Sequence, residues 1–315
     1  MVIIMYHVRD GILGLAIGNA MGVPTTNNSR EDLLEKPVTK MVPRIRDGVP
    51  KGAWSDSTSL TIATMSAISI SGIDCQVIAD NFVKWFTTNQ FCSMKESFGI
   101  GETTLKALVH YTQHIEKAEE CGLDGIMDNG NGSLIRMLPI AYYAVAKKCS
   151  DKEVVEVVRK VSSITHAHEI SICGCYIYVR YVMCLLKGIN KFSALNQIKG
   201  LDYSMFTKTT LDCYHRILKE DIHELEIDDI QSTAYIVDSL EASLWCFLQS
   251  ASFKECVIAT TNIGEATDSI GAIAGSLAGI FYGYANIPSK YLDDLKKLEY
   301  LEDCCNNYES YLKRL

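Results

Sequence analysis

Asp56 stands in Ser55-Asp56-Ser57-Thr58 and Asp268 in Gly264-Glu265-Ala266-Thr267-Asp268-Ser269. Each opens a segment whose hydroxyl and carboxylate oxygens suit a hard cation such as Mg2+. Two such ions side by side need several carboxylates to offset their charge, and each cluster offers one aspartate. Ser and Asp ahead of a helix also serve as caps, so Lys51 to Leu60 reads first as a glycine-containing loop turning into a capped helix. Two further segments point beyond capping: Asn129-Gly130-Asn131-Gly132-Ser133, and Ser162-Ser163-Ile164-Thr165-His166-Ala167-His168-Glu169. Both place small or polar groups at a helix start, where free backbone N–H groups favour phosphate. Several such starts converging on one pocket would make a diphosphate site. His166 and His168 lie two apart and diverge by about 200° on a helix, so at most one of them serves that pocket.

The elements that must position these residues are helices. Over 233–250 the apolar residues Val237, Leu240, Leu244, Phe247 and Leu248 recur at three and four, while Asp238, Glu241 and Gln249 fall elsewhere. Comparable stretches lie near 10–22, 57–71, 75–89, 132–148, 152–162, 167–187, 205–217, 251–260, 269–284 and 289–313. Alternating patterns are scarce, which predicts an all-α, compact multi-helix bundle. Gly271, Gly275, Gly279 and Gly283 recur every four residues, as do Gly14, Gly18 and Gly22. Such spacing puts each set on one helix face and lets another backbone approach closely. Each glycine weakens a helix by about 1 kcal/mol relative to alanine, so tight crossing of two core helices is the natural compensation. That crossing would bring Asn19 near Asp268.

The chain has 315 residues, 48% hydrophobic and 22% charged, with no low-complexity tract. It can bury a large core, and no Pro-, Gly- or Ser-rich linker divides it, so one domain over 1–315 is expected. A formal net charge of -8 disfavours broad nucleic-acid or anionic-membrane binding, so any phosphate must be held locally. The 12 cysteines include Cys173, Cys175, Cys184 and Cys246 within apolar helical stretches, and none form Cys-x-x-Cys pairs; buried reduced thiols are expected rather than zinc ligands. Residues 1–23 are apolar but interrupted by His7, Arg9 and Asp10, unlike a signal peptide or a membrane span. A cytoplasmic location is therefore expected.

Taken together, these motifs resemble those of the ADP-ribosylglycohydrolase family, which includes dinitrogenase reductase-activating glycohydrolase and the ADP-ribosyl-arginine and ADP-ribosyl-serine hydrolases. Gly14 to Pro24, Gly52 to Thr58, Asn129 to Pro139 and Asn262 to Gly271 match in order, and Ser163 to His168 also fits. The resemblance covers residues 11 to about 284. It implies a helical bundle whose cleft holds two Mg2+ ions and hydrolyses the bond joining ADP-ribose to a protein side chain. Position by position, Ser55, Asp56, Asp268 and Ser269 match metal ligands, and Asp56 is also the candidate catalytic residue. Asn131, Gly132, Ser133, His166 and Gly264 fall with the contacts to ADP-ribose.

The departures from the family pattern are systematic. Ser57 and Ala266 stand where the resemblance puts metal-binding aspartates, Thr26 where it puts a glutamate near the reacting centre, and Asn19 where it puts a further aspartate. Ala266 cannot coordinate, Ser57 is a poorer ligand than a carboxylate, and Thr26 cannot act as a general base near neutral pH. The expectation is a protein that recognises ADP-ribose or ADP-ribosylated proteins, with at most one Mg2+ and weak or lost hydrolysis. A one-metal Mg2+-dependent hydrolase and an interaction protein with a vestigial cleft are the alternatives.

Overall fold

The computed structural model describes residues 7–113 and 117–315; the part of the N-terminal apolar stretch ahead of His7 lies outside the described residues. Its first half contains α1 (Val8–Gly22), α2 (Arg30–Glu35), α3 (Asp56–Ser71), α4 (Cys75–Thr88), α5 (Glu102–Gln113), α6 (Leu138–Ala146) and α7 (Asp151–Ser163). There follow α8 (Glu169–Leu186), α9 (Lys191–Lys199), α10 (Lys208–Cys213), α11 (His215–Lys219), α12 (Ile236–Gln249) and α13 (Phe253–Thr261). The last helices are α14 (Thr267–Tyr282), α15 (Ser289–Asp294) and α16 (Leu298–Leu312). Among the described residues there are no strands, only isolated bridges, so the all-α expectation holds.

Helices α1 and α14 form the central pair, with Gly14 and Gly18 set against Gly271, Gly275 and Gly279, and Gly22 against the backbone of Thr267 and Asp268. A β-carbon on Gly18 would overlap the carbonyl oxygen of Gly271, so only glycine permits this backbone contact. Gly283 does not share it: at φ 81° it terminates α14. Around the pair, α14 also packs on α12, α13 and α8, and α1 on α16 and α13. By length and composition α8 could cross a membrane, but 78% of it is buried inside the protein, which makes it a core helix.

Local signals explain most boundaries. Ser150 and Glu153 form a reciprocal capping box at the start of α7, and Asp74 caps α4 through the amides of Gln76 and Val77. Three expectations need correction. The stretch 289–313 is two helices, because Lys296 N–H donates to Gly52 O (2.9 Å) and Trp54 Nε1 donates to Lys296 O (3.0 Å), pinning a break between α15 and α16. The stretch 205–217 divides at Tyr214, whose hydroxyl donates to Ile170 O at 2.7 Å. Residues 132–148 begin as a tight 3-10 turn, Leu134–Arg136, before α6. Helices α2, α5 and α9 lie outside the expected stretches; α5 is amphipathic but buries only Thr104, Ala107 and Leu108, a short stripe. All 12 cysteines are free thiols; Cys173, Cys175 and Cys246 are buried and Cys184 is half-buried.

Candidate functional site

The N-termini of α3 and α14 meet beside α1. Asn19 ties them together: its Oδ1 accepts from Ser55 N–H (2.8 Å) and from the Thr58 hydroxyl (2.9 Å), and its Nδ2 donates to Ser55 Oγ (2.9 Å) and Asp268 O (3.3 Å). Ser55 occupies the N-cap of α3, yet its side chain caps nothing there. Its hydroxyl instead donates to Asp268 Oδ2 at 3.1 Å. The two aspartates expected to lie together are thereby brought side by side, Asp268 accepting from the serine that precedes Asp56.

Above this junction opens a cleft of about 840 Å3. Asp56, Asp268, Ser269 and Ala266 line one side, and Asn131, Gly132 and His166 line it as well. Burial, and next the Asp268 carboxylate, hold the Asp56 carboxyl well above the usual carboxylate range. The segment Phe98 to Gly101 closes over Asp56: Gly99 has φ 91°, and a β-carbon there would stand 2.9 Å from Asp56 Oδ1. Thr26 also lines the cleft, but its hydroxyl is turned back onto Gly22 O at 3.1 Å. At the lip, Asn27 and Glu265 both adopt left-handed backbone and pair with each other's segment, Asn27 N–H to Glu265 O at 2.8 Å and Glu265 N–H to Asn28 O at 2.9 Å.

The part of the lining that carries Gly132 and His166 is built on Arg136. This arginine is fully buried, donating through Nη1 to Gly132 O (2.6 Å) and through Nη2 to Val161 O (3.2 Å) and Thr165 Oγ1 (2.8 Å). Thr165 Oγ1 in turn lies 2.7 Å from His166 Nδ1. Burial, and next the Arg136 charge, push His166 down to about 3, so the ring is neutral near pH 7. Burial lowers Arg136 itself to about 10, which leaves it a cation.

Other expected residues lie off the cleft. The Ser133 hydroxyl faces the core, 3.3 Å from Cys175 Sγ, and Gly264 packs against the backbone of Arg30. Ser55 sits beneath the lining, engaged with Asn19 and Asp268. Of the two histidines, His166 reaches the cleft while His168 caps α8 by accepting from Ile170 N–H at 3.2 Å. Sequence reasoning missed Arg44, Phe98 to Thr104 and Glu265 as lining residues. The closely spaced Gly99 and Gly101 ahead of a helix start were the available signal for the second; the others left none.

Among the described residues no three His, Cys, Asp or Glu side chains gather as a metal cluster. The donor set is instead two carboxylates and neighbouring hydroxyls. One divalent ion fits its electrostatics, because burial and the neighbouring Asp268 carboxylate both disfavour a charged Asp56, and a bound cation would offset both.

A sequence profile described as ADP-ribosylglycohydrolase matches residues 4–314. The chain is 27% identical to ADP-ribosylarginine hydrolase Tri1 of Serratia proteamaculans (strain 568), covering 92% of this chain and 75% of that protein. It is 28% identical to the ADP-ribosyl-[dinitrogen reductase] glycohydrolase of Rhodospirillum rubrum, over 90% of this chain and 88% of that one. A solved structure titled ADP-ribosylglycohydrolase-related protein complex matches the fold with a TM-score of 0.81 at 22% identity, covering 97% of this chain and 98% of that chain.

Proposed function

The chain belongs to the ADP-ribosylglycohydrolase family, and on that premise we propose that it recognises ADP-ribose, free or carried by a modified protein, with weak or lost hydrolysis. One observation carries the reading: the same cleft sets Asn131, Gly132 and His166 against Asp56 and Asp268, while Ala266 lines it without any coordinating atom. The first group offers polar contacts to a diphosphate-linked sugar. The second is short of the negative charge that two divalent ions require.

Asp56, Asp268 and Ser269, with Ser55 behind them, would hold a single Mg2+, which would polarise a bound ribose oxygen or water. Asn19 keeps the two aspartate-bearing helix starts in register, and Gly99 keeps bulk solvent from Asp56. Thr26 offers no base near neutral pH, so activation of a water lacks the acid-base partner that efficient hydrolysis uses.

A second reading, a one-metal hydrolase, is favoured by Glu265, a further carboxylate lining the same cleft. Calorimetry with ADP-ribose, with and without Mg2+, run beside release of ADP-ribose from a panel of modified peptides, separates the two. Binding with little turnover supports recognition. Steady release that Asp268→Ala abolishes supports the hydrolase, and no binding under either condition ends both.

A further inference from the structure

Arg136 is a buried cation with no carboxylate in contact. Its side chain makes its hydrogen bonds to two carbonyls and a hydroxyl, lies over the Phe82 ring at 4.9 Å, and leaves Nε without a partner. Burying an arginine this way is costly, and a solely structural anchor would be served by a neutral donor. What the three acceptors share is their position. Gly132 belongs to the loop that lines the cleft, and Val161 and Thr165 flank the turn that delivers His166.

The hydrogen-bond chain has a direction. Arg136 has only N–H groups to give, so Thr165 Oγ1 accepts from it. Among the described residues the remaining hydroxyl proton has one acceptor within reach, His166 Nδ1 at 2.7 Å. A neutral imidazole that accepts at Nδ1 carries its proton on Nε2. His166 Nε2 makes no hydrogen bond within the described residues, and although His166 is only 2% exposed it lines the cleft beside Gly130 and Gly132.

We propose that Arg136 is a positioning residue for the anion-binding wall: through Thr165 it fixes His166 with Nε2–H presented to the cleft, and through the Gly132 carbonyl it sets the neighbouring loop for a diphosphate oxygen. Its charge, uncompensated by any touching acid, adds attraction for that anion. This deepens the ADP-ribose reading and rests on it for the identity of the ligand, whereas the proton position is a property of the free protein.

The test reads both. Nitrogen-15 spectra of the ligand-free protein, with the His166 signals identified by their loss in His166→Asn, report which ring nitrogen is protonated at pH 7. The expected result is a proton on Nε2, with Nδ1 bare. Thr165→Val removes the hydroxyl without changing shape, and is expected to give mixed tautomers and an ADP-ribose affinity weaker by about tenfold. Thr165→Ser restores both. Arg136→Lys, which cannot span Gly132, Val161 and Thr165 together, is expected to resemble Thr165→Val; should it not fold, the Thr165 pair decides. A proton on Nδ1 in the natural protein, or Thr165→Val with unchanged tautomer and affinity, overturns the proposal even where ADP-ribose binds. If the natural protein has the Nε2 proton but binds no ADP-ribose, the ligand reading fails and the anion half of the proposal fails with it.

Discussion

Asn19 and Ser55 hold each other by two opposed hydrogen bonds, Ser55 N–H to Asn19 Oδ1 at 2.8 Å and Asn19 Nδ2 to Ser55 Oγ at 2.9 Å. A carboxylate at position 19 could accept the first but could not donate the second, nor reach Asp268 O as a donor. The neutral amide is therefore matched to its partners, and in this chain it stands where the family resemblance puts an aspartate.

Replacing that amide gives the first prediction. Asn19→Ala leaves the buried Ser55 amide and Thr58 hydroxyl short of an acceptor and should cost about 2 to 3 kcal/mol. Asn19→Asp should lower the melting temperature at neutral pH by adding a third acid beside Asp56 and Asp268, and Mg2+ should recover part of that loss. Thermal melts with and without Mg2+ check both; an Asn19→Asp protein as stable as the natural one without Mg2+ contradicts this account.

The glycine crossing gives the second. In Gly18→Ala the new methyl group meets the backbone of Gly271, which cannot rotate away as a side chain would. The loss should reach the upper end of overpacking costs, about 3 kcal/mol. Denaturant titration measures it, and exposed positions of α16 such as Asn306→Ala should show almost none.

A third prediction concerns pH. Burial, opposed by Arg216 and reinforced by Asp238 and Glu220, raises Glu241 to about 7. The folded state thus holds this proton more tightly than the unfolded chain, so the contribution to stability is fully present below about 4.5 and is lost as pH rises through about 7. Glu241→Gln should flatten that part of the stability profile. Melts across the range would show it, and an unchanged slope would remove Glu241 as the cause.

Adding acids at the positions where the family resemblance puts them tests the proposed shortage of charge in the cleft. Thr26→Glu, Ser57→Asp and Ala266→Asp together should destabilise the metal-free protein and confer Mg2+-dependent thermal stabilisation. The same protein should gain release of ADP-ribose from modified peptides. Ser57 is the most demanding of the three, because it is fully buried, although its hydroxyl has no partner to lose. A triple variant that neither binds Mg2+ nor gains turnover would show that another defect governs the cleft.

Much of this was legible from residue spacing. Glycines four apart announced the α1–α14 contact, and from it the proximity of Asn19 to Asp268. At most one of His166 and His168 was expected in the pocket, and one lines the cleft, but not for the helical reason: both precede α8, His166 in an isolated bridge and His168 at the N-cap. Spacing could not tell that Ser55 would take the cap position while giving its hydroxyl to Asp268, because capping and long-range bonding use the same residue type. Nor could it direct Ser133 inward, since a 3-10 turn presents faces differently from the α-helix expected there. Arg136 falls within the Asn129 to Pro139 motif, but its contacts with Val161 and Thr165 exist only because tertiary structure brings them beside it. Glu265 reaches the cleft through a left-handed backbone that non-glycine residues seldom adopt.

The bond from Asn19 to Asp268 joins residues 249 apart in sequence, and the glycine faces that allow it belong to α1 and α14, with all the other cleft-lining loops encoded between them. A ribosome must therefore finish α14 before the cleft exists at all. Nascent chains stopped before α14 would carry Asp56, Asn131 and His166 but lack Asp268 and Ser269, so the cleft closes only once both glycine-faced helices have been made.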